Sequence, residues 1–144
     1  MKRILIGAVA ALASAISIGD RVIAQVVPDN TVGTQVTQSG TAFQINNGIR
    51  SGNNLFHSFS QFSVPTNGSA IFNNVTDVQN IFSRVTGSQL SNIDGILKTQ
   101  GGLFLMNPNG IVFGPNARLE LGGSFLGTML LILKRKALQL PHKT

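Results

Sequence analysis

The chain has 144 residues, enough for one domain, and only 11% of them are charged, against roughly 25% in an ordinary globular protein. Its surface must therefore be polar through Asn, Gln, Ser and Thr, and the lack of cysteine rules out disulfide staples and thiolate metal sites. The net charge of +6 sits at the two ends, because between 25 and 128 the four cations Arg50, Arg84, Lys98 and Arg118 balance Asp29, Asp77, Asp94 and Glu120; the body keeps no basic face for phosphates, so no nucleic-acid partner is expected.

Lys2 and Arg3 precede an uncharged apolar run from Ile4 to Gly19, and Val22-Ile23-Ala24 follows. A basic start, an apolar stretch and small residues before Gln25 are the layout of a signal peptide. Residues 1–24 are read as that leader, which implies the general secretion machinery and a signal peptidase as partners. The run is shorter than the roughly 20 residues that a spanning helix needs.

Residues 25–128 read as short β segments between turns, with no 3.6-residue stripe. Thr41–Ile45 alternates, with Phe43 and Ile45 on one face. Leu55–Val64 is aromatic-rich, and alternation sets Phe59 apart from the Phe62/Val64 pair. Ser69–Phe72, Val78–Val85 and Ile93–Leu97 follow. Gly/Asn pairs punctuate them, among them Asn47-Gly48, Asn67-Gly68 and Asp94-Gly95.

The most strongly specified stretch is Leu103–Phe125. Two apolar runs, Leu103–Met106 and Ile111–Phe113, flank Asn107-Pro108-Asn109-Gly110, and Gly114-Pro115-Asn116 follows at once. Pro108 suits the second position of a type I turn, Asn107 can bond the backbone two residues on, and Gly110 fits the fourth position. The chain runs strand, turn, strand, turn, strand.

Segments this short and numerous exclude a βαβ plan and leave a sandwich, a barrel or a solenoid. Two features favour the solenoid. Asn67-Gly68 before Ala70-Ile71-Phe72 echoes Asn109-Gly110 before Ile111-Val112-Phe113. The turns are also rich in Asn, which can form hydrogen-bonded ladders where coils stack. At 20 or so residues per repeat, about four or five coils are expected. From Met129 the β pattern stops: residues 129–144 carry an apolar run and a basic triplet, and read as an aberrant tail from a frameshift or truncation.

Reactive groupings are few. His57, among Phe56, Ser58 and Phe59, reads as a packed strand residue. Asp94-Gly95 reads as a turn, and Asp77 and Asp94 have no basic partner at a telling spacing. No catalytic, metal or cofactor motif stands out. The alternative function is an extracellular β-helical protein that binds or degrades polysaccharide, for which Asp77 and Asp94 would have to meet in space.

The segments Leu55–Asn74, Asn80–Gly95 and Leu103–Thr128 together resemble the filamentous-haemagglutinin N-terminal domain, also called the two-partner secretion domain. The likeness rests on His57–Val64 combined with Asn107–Ile111, and its flavour is similar to cyanobacterial members. The resemblance implies an all-β fold, a right-handed parallel β-helix with extra capping strands, over residues 25–128. It implies a non-enzymatic secretion-targeting and folding-nucleating module of a haemagglutinin or adhesin-type exoprotein. The implied partner is an outer-membrane two-partner secretion transporter acting through its periplasmic domains. The product would be secreted or held at the cell surface, and a downstream passenger would meet host or surface glycans. By resemblance, Asn107, Pro108, Asn109, Gly110 and Ile111 form the secretion motif, and His57, Phe59, Phe62 and Val64 belong to the strand region that the family shares.

Overall fold

The computed structural model describes residues 25–74 and 76–129. The leader over 1–24 and residues 130–144 of the tail lie outside the described residues. Those described form thirteen strands and no helix. The first seven are β1 (Val26–Pro28), β2 (Thr34–Ser39), β3 (Ala42–Asn47), β4 (Ile49–Ser51), β5 (Asn54–Phe62), β6 (Ser69–Phe72) and β7 (Asn80–Val85). The rest are β8 (Ser91–Ile93), β9 (Ile96–Thr99), β10 (Gly102–Met106), β11 (Ile111–Phe113), β12 (Arg118–Leu121) and β13 (Phe125–Thr128).

The strands wind into a parallel β-solenoid. One sheet stacks β5, β7, β10 and β13 in parallel register, a second stacks β3, β6, β9 and β12, and a third pairs β8 with β11. In each coil the chain visits the sheets in turn, and the next coil lies about 4.8 Å further along. The stack is about three turns long rather than the four or five that length alone implies. Two causes shorten it. The chain spends β1, β2 and β4 on antiparallel caps against β5 and β3. The early coils are also long: Ala42 pairs with Ser69 and Ser69 with Ile96, a repeat of 27, whereas Ile96 pairs with Arg118, a repeat of 22.

The core is a column of inward side chains that includes Phe43, Ile45, Phe59, Phe62, Val64, Phe72, Ile81, Ile93, Leu97, Leu103 and Leu105. Phe59 and Phe62 meet at 5.0 Å between ring centroids, and Phe62 and Phe72 at 6.0 Å, within the range where rings attract beyond their burial. Phe59 therefore does not stand apart from Phe62 and Val64. The register against β1 jumps from Val27↔Gln61 to Pro28↔Phe59, so Ser60 is the extra residue of a β-bulge. The bulge turns Phe62 and Val64 to the inward face of Leu55, His57 and Phe59, which strict alternation denies them.

The expected Ile93–Leu97 strand is divided. Asp94-Gly95 turns the chain between β8 in the third sheet and β9 in the second. A Cβ on Gly95 would lie 2.4 Å from the Gly68 carbonyl oxygen and 2.5 Å from that of Pro65, so this corner stacks on the one below only as glycine. The Asn-Gly echo does not mark equivalent positions, because β6 and β11 lie in different sheets. Amide ladders do cross coils: the Asn80 Nδ2 donates to Asn54 Oδ1 at 3.1 Å, and the Asn73 Nδ2 to Asn46 Oδ1 at 3.0 Å.

Candidate functional site

The Asn107–Gly110 bend joins β10 to β11 at the corner between the first and third sheets. It closes as a β-turn, with the Gly110 N–H donating to the Asn107 carbonyl at 2.9 Å. Gly110 has φ +112°, a conformation that other residues rarely adopt. The Asn107 side chain works in both directions. Its Oδ1 accepts from the Asn109 N–H at 2.9 Å and the Asn109 amide at 3.0 Å. Its Nδ2 donates to the Gln89 carbonyl at 3.0 Å and to Ser91 Oγ at 2.9 Å. Asn109 Nδ2 reaches the Gly87 carbonyl at 2.7 Å.

The bend thus grips the Gly87–Ser91 loop of the preceding coil. On its other side the Asn107 N–H donates to the Thr128 carbonyl at 2.9 Å, so one residue ties three coils. Asn107 is 0% exposed and Ser91 is buried with it. Pro108, Gly110 and Ile111 are half-buried and Asn109 is exposed. The folded bend offers a partner the backs of Pro108 and Asn109, not the Asn107 side chain. Gly87, Gln89 and Ser91 are the residues that sequence reading missed. They lie 16 to 22 positions upstream, and no fixed repeat length points to them.

The second group lies on β5 and just beyond it. Phe59, Phe62 and Val64 are core residues, and Val64 bridges to Ile93. His57 is 2% exposed. The Ser58 N–H donates to Thr34 Oγ1 at 3.1 Å, and Thr34 Oγ1 lies 3.0 Å from His57 Nδ1. The Thr34 hydroxyl can donate to Nδ1 or accept from it, according to the imidazole tautomer. Nε2 is buried and makes no hydrogen bond among the described residues, nor does Ser83 Oγ on the register neighbour. Desolvation lowers the His57 pKa to about 4. The two groups, at Asn107 and at His57, occupy different corners and share no hydrogen bond.

The carboxylates do structural work. Asp77 pairs with Arg50 at 2.7 Å, and that hydrogen bond holds it below the ordinary carboxylate range. Asp94 stacks the corners of three coils: it accepts from the Thr66 hydroxyl and from the Asn116 N–H and side-chain amide, and these bonds lower its pKa. Asp77 lies between β6 and β7 and Asp94 between β8 and β9, at different corners, so they do not form the pair that a polysaccharide hydrolase would need. Asp29 ties the N-terminal cap to the coils. It accepts from Ser58 Oγ at 2.6 Å, Thr86 Oγ1 at 2.7 Å and Thr31 Oγ1 at 2.6 Å. Burial pushes its pKa up, but these bonds outweigh that and hold it well below the ordinary range.

The two ends of the solenoid differ. At the N-terminal end, β2 lies antiparallel on β3, and β1 and β4 lie on β5. At the other end the interior column comes to the surface. Phe113 is the register partner of Ile93 and Leu119 that of Leu97. Ile93 and Leu97 are 0% exposed, yet Phe113 is 44% and Leu119 43% exposed, because no described residue stacks on their coil. The first and second sheets end there on β13 and β12.

A family model described as the TPS secretion domain matches residues 24–140. No curated protein matches the chain.

Proposed function

The chain belongs to the TPS secretion domain family, and from that premise we propose that its β-solenoid both addresses and starts an exported protein of the haemagglutinin or adhesin type. The partner is the outer-membrane transporter of a two-partner system, met through its periplasmic domains after the leader is cleaved. The product is released or displayed at the cell surface. The proposed module centres on residues 25–128, while the family match runs on to residue 140.

The observation that carries the nucleating role is the asymmetry of the ends. A capped start and an apolar finish on which no described residue stacks let coils add in one direction only. Phe113, Leu119 and Leu121, with Phe125, offer an interior surface for a following coil, and β12 is the last strand of its sheet among the described residues, an edge on which that coil's backbone can pair. Asn107 acts in this reading by closing coils. Its buried amide fastens the Asn107–Gly110 bend to the coil below, so it acts on the extended chain during transport or on folding after it, not as a contact of the finished fold.

The test is export by cells that carry the cognate transporter, with the chain assayed in the medium. Asn107→Ala and Asn109→Ala are expected to reduce the exported fraction, while Pro108→Ala, which removes no hydrogen bond, costs less. Export of both Asn variants at the parent level would overturn the role given to the bend. Export without the transporter would overturn the addressing role.

A further inference from the structure

We propose that the outer face of the first sheet carries a binding groove for a single alkyl chain with an anionic head, such as a medium-chain fatty acid. Three rings stack in a row on that face. Phe56 and Phe82 lie 5.2 Å apart at 16° between planes, and Phe82 and Phe104 lie 4.6 Å apart at 13°. Ile49 continues the row on one side through its pairing with Phe56, and Leu126 on the other through its pairing with Phe104. Ile49 is 50%, Phe56 37% and Leu126 48% exposed, so five adjacent strands present apolar side chains to solvent.

The row is not flat. The Asn30–Gly33 loop and β4 rise beside it and form the wall of a cleft of about 230 Å³, lined by Val32, Ile49, Phe56, His57, Phe82, Arg84 and Met106. Five of these seven are apolar. The volume falls below the roughly 300–1,000 Å³ of sites for drug-sized ligands, which suits one flexible chain better than a ring system.

Arg84 supplies the charge complementarity. It stands at the cleft with its Nε donating to Ser58 Oγ at 2.8 Å and an Nη to Thr31 Oγ1 at 3.3 Å. Both acceptors are hydroxyls that in turn donate to the Asp29 carboxylate. Among the described residues the ion pair is Arg50 with Asp77, so Arg84 meets Asp29 only through those hydroxyls and keeps guanidinium N–H groups for a ligand beside the apolar surface. A carboxylate meeting it would gain a charge-assisted, bidentate contact, and the attached chain would cover the Phe56–Phe82 rings. An uncharged chain would gain only the second term and a cationic one would be repelled.

The experiment titrates the full chain, labelled with 13C at its methionine methyls, with hexanoate, octanoate and decanoate below their micelle concentrations. Decanol and decyltrimethylammonium serve as head-group controls. Saturable shifts at Met106 are expected. Each added methylene should tighten binding by about fourfold while the chain still lies within the cleft. Decanoate should bind at least tenfold tighter than decanol. Arg84→Gln should erase that preference and leave decanol affinity unchanged, and Arg84→Lys should retain part of it. Ile49→Ser should weaken both ligands equally. The proposal is overturned by the absence of saturable shifts at Met106 or by equal affinity for decanoate and decanol. It also fails if Arg84→Gln, shown folded by an unchanged melting curve, keeps the preference, or if a peptide strand displaces decanoate without saturating.

Discussion

Asn107 concentrates the chemistry of the candidate site in one side chain. All of its hydrogen-bonding groups are used inside the fold. Replacing it with alanine takes the Asn107 partner from the buried Ser91 hydroxyl, at roughly 1–3 kcal/mol, and removes part-buried bonds to the Gln89 carbonyl and the Asn109 N–H as well. Asn107→Ala is therefore expected to lose about 2–4 kcal/mol of stability in chemical denaturation, whereas Asn109→Ala, whose residue is exposed, loses less. His57 makes a different prediction. Its folded pKa of about 4 lies below the ordinary 6.5, so the unfolded chain takes up the proton first. The neutral form's advantage is complete above pH 6.5, is lost as the pH falls towards 4, and changes no further below. Within that window stability should fall by up to ~1.4 kcal/mol per pH unit, measured as denaturation midpoints, and His57→Phe should flatten the profile.

Elements in this fold are decided by how corners stack. Gly95 lies under the Pro65–Gly68 corner with no room for a methyl group. Gly95→Ala is expected to cost about 1–3 kcal/mol and to loosen β8, β9 and β12 together, read as faster amide exchange in those strands. Asp29→Ala should act on the cap alone. It frees the Ser58, Thr86 and Thr31 hydroxyls, so exchange should rise over β1 and β2 while β10 and β13 keep their protection. Much at this scale was legible in the sequence. The strands at Ala42–Asn47, Ser69–Phe72 and Ile111–Phe113 announce themselves by alternation or by apolar runs between Gly/Asn signals. Three were not. The caps β2 and β4 carry mostly polar, exposed residues, so no buried face prints a pattern. β1 is three residues long. The bulge at Ser60 depends on what β1 does, which local alternation cannot express.

For the whole molecule, the sequence pointed to the solenoid through Asn-rich turns and low charge, and the coils bear that out. The candidate site was half legible. The Asn107–Gly110 turn is written in four residues, but its grip on Gly87–Ser91 is a long-range fact set by unequal coil lengths. Those lengths have a mechanical meaning. Opening the last coil releases the 22 residues that separate register partners, roughly 70 Å of extended chain, while the stack shortens by one strand spacing of about 4.8 Å. The deepest coil, 26 residues between β5 and β7 and 27 between β3 and β6, releases roughly 90 Å. Pulled from the C-terminal end in a force clamp, the protein should lengthen in two step sizes, the shorter first. Run backwards, each step is a stroke: a coil that snaps shut reels in many times the length by which the stack grows, and so draws on whatever chain still lies behind it.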